Sequence, residues 1–166
     1  MKAVPPPAAP PVTFDGPWAP IEAQLGVVLP QDYKDFMRLY GFGVFLEFLG
    51  IHAPNVSSRH ARLVERAREI CDDLRDEERP YPLWPEPGGL LPFGRTDNGD
   101  YLCWLMQGAP ADWTVVVWSR GFYRFEAFDC DMTDFLAGLA TGEIVPNDLD
   151  ELLPCDEPFI TNPAWG

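Results

Sequence analysis

A chain of 166 residues with 46% apolar and 13% aromatic content can bury one sizeable core, which excludes disorder for most of its length. Its 26 acids against 12 bases leave a net charge of −14. That balance excludes a free-standing nucleic-acid binder and disfavours anionic membranes, because both need a surplus of cations.

Residues 1–13 include Pro5-Pro6-Pro7-Ala8-Ala9-Pro10-Pro11 and read as a flexible, extended Pro-rich arm. Pro7 and Pro10 have PxxP spacing, although a plain flexible terminus accounts for them as well. The domain proper is expected over residues 14–145. Pro20 suits the first position of a short helix and Gly26 its end, with Trp18, Ile21 and Leu25 on one face. Pro30 opens a second helix in which Tyr33, Phe36, Met37 and Tyr40 follow helical spacing, and Gly41 ends it.

Val44 to Ile51 reads as one nearly continuous apolar strand with Glu47 turned to solvent. Ser57 or Ser58 is expected to cap a third helix running to about Leu74. Its apolar stripe is Leu63, Val64, Ala67, Ile70, Cys71 and Leu74. The arginines at 59, 62, 66 and 68 alternate with acids and read as a solvated ion-pair surface. Four prolines between Arg79 and Gly89 predict an ordered crossing loop pinned by Tyr81, Leu83 and Trp84. Strands follow at 90–93, 100–106, 113–118 and 122–128. Asn98-Gly99 and Ser119-Arg120-Gly121 supply the turns between them. Met132 to Leu139 is a last helix, capped by Asp131 or Thr133 and followed by Gly142.

Residues 146–166 form an acidic, Pro-rich extension expected to pack on the domain through Leu152, Leu153, Phe159, Ile160 and Trp165. Helices, then strands, then a closing helix predict an α+β fold: one antiparallel-rich sheet packed with about four helices.

The charges are unevenly placed. After Arg124 there is no Lys, Arg or His, whereas ten acids from Glu126 to Glu157 follow. A basic protein partner would be drawn to such a surface, with faster association at low salt, while solubility alone also accounts for net charge.

No catalytic fingerprint occurs, so a non-catalytic chain without cofactor is expected. Asp97, Asn98 and Asp100 could offer oxygens to a hard cation, but a hairpin turn explains them equally well and a calcium loop needs more acids. The paired carboxylates Asp72/Asp73 and Glu77/Glu78 read as a solvated helix end. The four cysteines lack CxxC spacing and His52 and His60 are the only histidines, so no metal site is expected. The start shows no apolar signal region and no run is long enough to span a bilayer, which together predict a cytoplasmic chain with reduced thiols. Most of the tryptophans at 104, 113 and 118 belong in the core, but one or two exposed rings would make natural interface anchors. The candidate partner-contacting residues are therefore Asp97, Asp100, Trp104, Asp112, Trp113, Asp148, Asp150 and Glu151.

Several motifs occur in a shared order. They are Trp18, Glu22…Leu25-Gly26…Leu29-Pro30…Tyr33…Phe36, Gly41 with Gly43, Pro92-Phe93-Gly94 to Trp104, Trp113 before a valine run, and Phe135-Leu136. In that order, over roughly Trp18 to Gly142, the chain resembles the SUKH superfamily, the Smi/Knr type of cell-wall assembly regulators. The resemblance implies an α+β domain with a partner-binding surface and no catalysis. Bacterial members resemble immunity proteins that neutralise secreted toxins, often nucleases, which makes a basic toxin domain the expected partner. Fungal relatives look like cell-wall regulators, so a regulatory adaptor with no toxin is the alternative. A small-ligand sensor is a third reading. The family's motif residues are mainly structural, so the resemblance assigns none of them to toxin contact.

Overall fold

A computed structural model describes residues 4–7, 10, 12–149 and 159–161. Among them are four α-helices and a seven-stranded, wholly antiparallel sheet in the order β6-β5-β4-β3-β2-β1-β7. The fold is α+β.

The first two helices form where the sequence places them. Helix α1 (Ala19–Leu25) has Pro20 in its first turn and Gly26 left-handed at its C-cap. Helix α2 (Gln31–Leu39) starts after Pro30 and buries Tyr33, Phe36 and Met37. Gly41 is needed on two counts. Its φ is +70°, and a Cβ there would stand only 2.2 Å from the Val12 carbonyl oxygen. That carbonyl accepts from the Phe42 N–H at 2.8 Å, and the Phe14 N–H donates to the Met37 carbonyl at 3.1 Å. Val4 is buried and its carbonyl accepts from the Tyr40 hydroxyl, so these parts of the N-terminal segment lie against α2.

The single strand expected from Val44 to Ile51 is instead a hairpin. Strand β1 (Gly43–Phe45) turns at Leu46-Glu47 into β2 (Leu49–Ile51), with Phe45 opposite Leu49. Both turn residues take positive φ, 51° and 65°, which side chains with a Cβ rarely adopt. Apolar periodicity carries no signal of such a turn. Glu47 is exposed, so Glu47→Gly relieves the backbone at no loss of packing. The expected gain is about 0.5–1 kcal/mol, the relief being partly offset by glycine's larger unfolded-state entropy. Chemical denaturation checks this, and a destabilised variant would mean that the Glu47 side chain holds the turn.

Helix α3 (Leu63–Asp73) is N-capped by Arg62 without a side-chain cap, so neither Ser57 nor Ser58 caps it. The chain spends residues 54–61 on a loop held at its base by two bonds at 2.9 Å, Ala53 N–H to Ala61 O and Leu63 N–H to Ala53 O. Arg66 also departs from expectation. It is buried, and with Arg59 it pairs to Glu69 rather than lying on a solvated face. The proline loop is pinned as read: Leu83 is buried and the Trp84 indole N–H donates to the Leu25 carbonyl at 2.7 Å.

Strands β3 (Leu90–Thr96), β4 (Tyr101–Leu105), β5 (Thr114–Ser119) and β6 (Arg124–Phe128) complete the central sheet. Helix α4 (Met132–Thr141) is capped by the Asp131 carboxylate accepting from the Asp134 N–H at 2.7 Å, with Gly142 left-handed after it. β7 (Phe159–Thr161) adds to β1. Leu152, Leu153 and Trp165 lie outside the described residues.

All five β4 residues are buried, because both faces of the sheet are covered there. Leu102 and Trp104 pack with α1, α2 and α4, and Tyr101, Cys103 and Leu105 pack with Ile70 and Cys71 of α3 and with Leu74 just after it. Burial raises the Cys71 thiol to about 12, with Asp72 adding to it, and pushes Cys103 well up too, so both stay protonated at neutral pH.

A candidate docking surface at one edge of the sheet

β1, β3 and β5 each stand one antiparallel strand apart, so they run in the same direction and the turns that follow them open at one edge of the sheet. The first turn is Leu46-Glu47-Phe48. The second is built on Asn98-Gly99, as read: Gly99 has φ +94°, and the Thr96 N–H donates to the Asp100 carbonyl at 3.0 Å. The third runs from Arg120 to Tyr123, so Phe122 belongs to a turn and not to the strand expected from 122. Tyr123 has φ 52°, which breaks the extended run and delays β6 to Arg124.

Leu46, Glu47 and Tyr123 are the non-glycine residues with positive φ among those described, and all three lie in these turns. Sparsely populated backbone of this kind costs of order 1–3 kcal/mol and tends to collect where a protein does its work.

Asp100 ties the second turn to the third. Its carboxylate accepts from the Thr96 hydroxyl at 2.6 Å and from the Arg120 N–H at 3.0 Å, while its own N–H donates to the Thr96 hydroxyl at 3.0 Å. Arg120 lies over Gly99 so closely that a Cβ there would meet its Cδ at 2.9 Å. The segment after α4 returns to the same edge. Asp148 accepts from Arg124 at 2.9 Å, and Asn147 donates to Glu126 from its backbone at 2.9 Å and its side chain at 2.6 Å. Between these parts lies a pocket of about 520 Å³ lined by Phe48, Asp100, Arg120, Phe122, Tyr123 and Asp148, among others. Phe122 is 54% exposed and Tyr123 65%, and they form an aromatic pair at the rim that sequence reading missed.

Of the candidate contact residues, three converge on this edge in different states. Asp97 is exposed, whereas Asp100 is buried and its carboxylate is committed to the turns. Asp148 shows only 12% of its side chain and is paired with Arg124. Asp112 is exposed at the opposite edge, where its carboxylate closes a short turn by accepting from the Ala109 N–H at 3.1 Å. Trp104 and Trp113 are core residues and not surface anchors. Trp104 is fully buried with its ring 5.1 Å from Tyr33, 4.7 Å from Phe93 and 6.2 Å from Trp113. Asp150 and Glu151 lie outside the described residues. A second acidic group gathers at the far edge, where burial and then the neighbouring Asp131 raise the Asp32 carboxyl above its usual range.

Among the described residues no three or more His, Cys, Asp or Glu are grouped to hold a metal ion, and no helix is long and apolar enough to cross a membrane. No curated protein and no solved structure matches the chain. A SUKH family model described as SMI1-KNR4 cell-wall matches residues 15–136, from just before α1 through all of β1 to β6 and into α4. The chain therefore belongs to the SUKH family of the SMI1-KNR4 cell-wall description.

Proposed function

We propose that this SUKH domain is a non-catalytic binding protein of the immunity type, which neutralises a basic toxin domain, a nuclease being the best-fitting class. The observation that carries the reading is the convergence of three left-handed turns, the exposed Phe122 and Tyr123, and the exposed carboxylates of Glu47 and Asp97 on one edge. Aromatic rings give such a surface affinity, and the net charge of −14 speeds encounter with a cationic partner. A nuclease must be cationic where it holds phosphates, and an acidic cover occludes that surface. The family's cell-wall description favours a second reading, a regulatory adaptor with no toxin.

The test begins with affinity capture from the source cells at low salt, with proteins identified by mass spectrometry. A basic domain recovered this way should arrest growth when expressed alone and be relieved by co-expression of this chain. With that domain, Phe122→Ala should weaken binding by about tenfold or more, mostly in the off-rate. Asp97→Lys should slow association, and the loss should shrink as salt rises. Recovery of cell-wall or signalling proteins alone, with no toxic domain, would overturn the immunity reading in favour of the adaptor.

A further inference from the structure

Beside the docking edge, where α3 leaves the sheet uncovered, lies a second pocket of about 430 Å³. Its floor is the outward row Val44-Gly50-Arg95, set side by side by the strand register, and its walls include His52, His60 and Asp97. Three features mark it as a built site. Arg95 and Asp97 stand two residues apart along one strand end, about 7 Å by extended-chain geometry, and among the described residues neither side chain has a hydrogen bond or ion pair. His52 is only 4% exposed, yet its Nδ1 has no hydrogen-bond partner among the described residues. Gly50 satisfies no backbone need: it sits in β2 outside the left-handed region, and a Cβ there would meet only the Arg95 carbonyl, at 3.7 Å. What the glycine keeps is empty space in front of the sheet.

We propose that this pocket binds a free α-amino acid with an aliphatic side chain. Arg95 would take the carboxylate, Asp97 the ammonium, and the apolar floor at Val44 and Gly50 the side chain. A simple anion is disfavoured twice, by the net charge of −14 and by Asp97 in the wall, and Arg95 disfavours a simple amine. A zwitterion satisfies both side chains and carries no net charge against the protein's field. The volume falls in the lower part of the range of small-molecule sites.

The experiment is a thermal-shift and calorimetric titration of the full chain with L-leucine, 4-methylpentanoate and 3-methylbutylamine. Leucine should raise the melting temperature by about 3 °C at ten times its Kd. Each analogue, lacking one charge, should bind at least about tenfold more weakly, as should leucine to Arg95→Gln or Asp97→Asn. Gly50→Val should fill the floor and abolish the response. No binding of leucine up to about 10 mM, an equal response to a singly charged analogue, or binding that survives Gly50→Val would overturn the proposal. Asp97 is shared with the docking edge, so Gly50→Val is the variant that separates the two: it leaves Asp97, Phe122 and Tyr123 in place, and toxin capture should continue.

Discussion

Replacing Asp100 with alanine should destabilise the protein by about 3 kcal/mol and lower its melting temperature by about 6–12 °C. Asp100 is 4% exposed and Thr96 is 1% exposed, so water cannot readily replace the lost carboxylate. The buried Thr96 hydroxyl and the part-buried Arg120 N–H each lose their carboxylate acceptor, and a buried donor left without one costs about 1–3 kcal/mol. Asp100→Asn retains the shape and one acceptor oxygen and should cost roughly a third as much. The damage should also be local. Hydrogen exchange at the Arg120 amide should quicken more than at Val116 in the middle of β5, because the clamp joins turns and not strands. A variant within about 0.5 kcal/mol of the parent would show that the carboxylate does not clamp the turns, since surface substitutions fall in that range.

Acid should weaken the fold earlier than its carboxylates alone require, and His52 is the reason. Burial, then the charges of Arg66 and Arg95, lower its pKa from 6.5 to about 3. The unfolded chain therefore takes up a proton as pH falls through 6.5, whereas the folded chain stays unprotonated until about 3. Stability is thus untouched by this group above pH 6.5 and is lost progressively below it. The loss is about 2 kcal/mol by pH 5 and about 3 kcal/mol by pH 4.

Two carboxylates act lower down. Burial pushes Glu69 up, but the bonds from Arg59 and Arg66 outweigh it. Glu22 is likewise pushed up by burial and held lower by Lys34 and the Leu29 N–H. Both end below the usual range and lose their contribution only as pH falls under about 4.5. Asp32, raised by burial and Asp131, works in the opposite direction. Denaturation of the parent and of His52→Asn at several pH values between 7 and 5 isolates the histidine. The parent's stability should fall by up to about 1.4 kcal/mol per pH unit more steeply than the variant's. Parallel slopes would mean that His52 takes up its proton equally readily in the folded and unfolded chains.

The helices were legible because their signals are local. Pro20 with Gly26, Pro30 with the Tyr33-Phe36-Met37 stripe, and Asp131 with Gly142 are caps and periods contained within one or two turns. The Asn98-Gly99 turn was legible for the same reason, since Gly99 takes the positive φ that its chemistry permits. The misreadings share an opposite cause. An apolar run such as Val44–Ile51 is compatible with one strand or a hairpin, and only pairing with β3 and β7 bends it at Leu46-Glu47. Ser57 and Ser58 are good caps in isolation, yet the loop base at Ala53 moves the helix start to Leu63. Arg66 reads as solvated until the fold buries it beside Glu69.

The candidate site divides along the same line. Composition and order alone determined an acidic α+β domain, its helix boundaries to within a few residues except the start of α3, its second hairpin turn and its family resemblance, because charge totals, caps and periodicity need no distant partner. Tertiary structure alone decided which side chains face outward. It put Trp104 and Trp113 in the core, turned Asp100 inward as a clamp, and left Phe122 and Tyr123 exposed at the edge. The physical reason is that exposure belongs to the packed sheet. A residue's face depends on register, on what covers each side and on strained turns imposed by neighbours, and none of these is written in the residue itself.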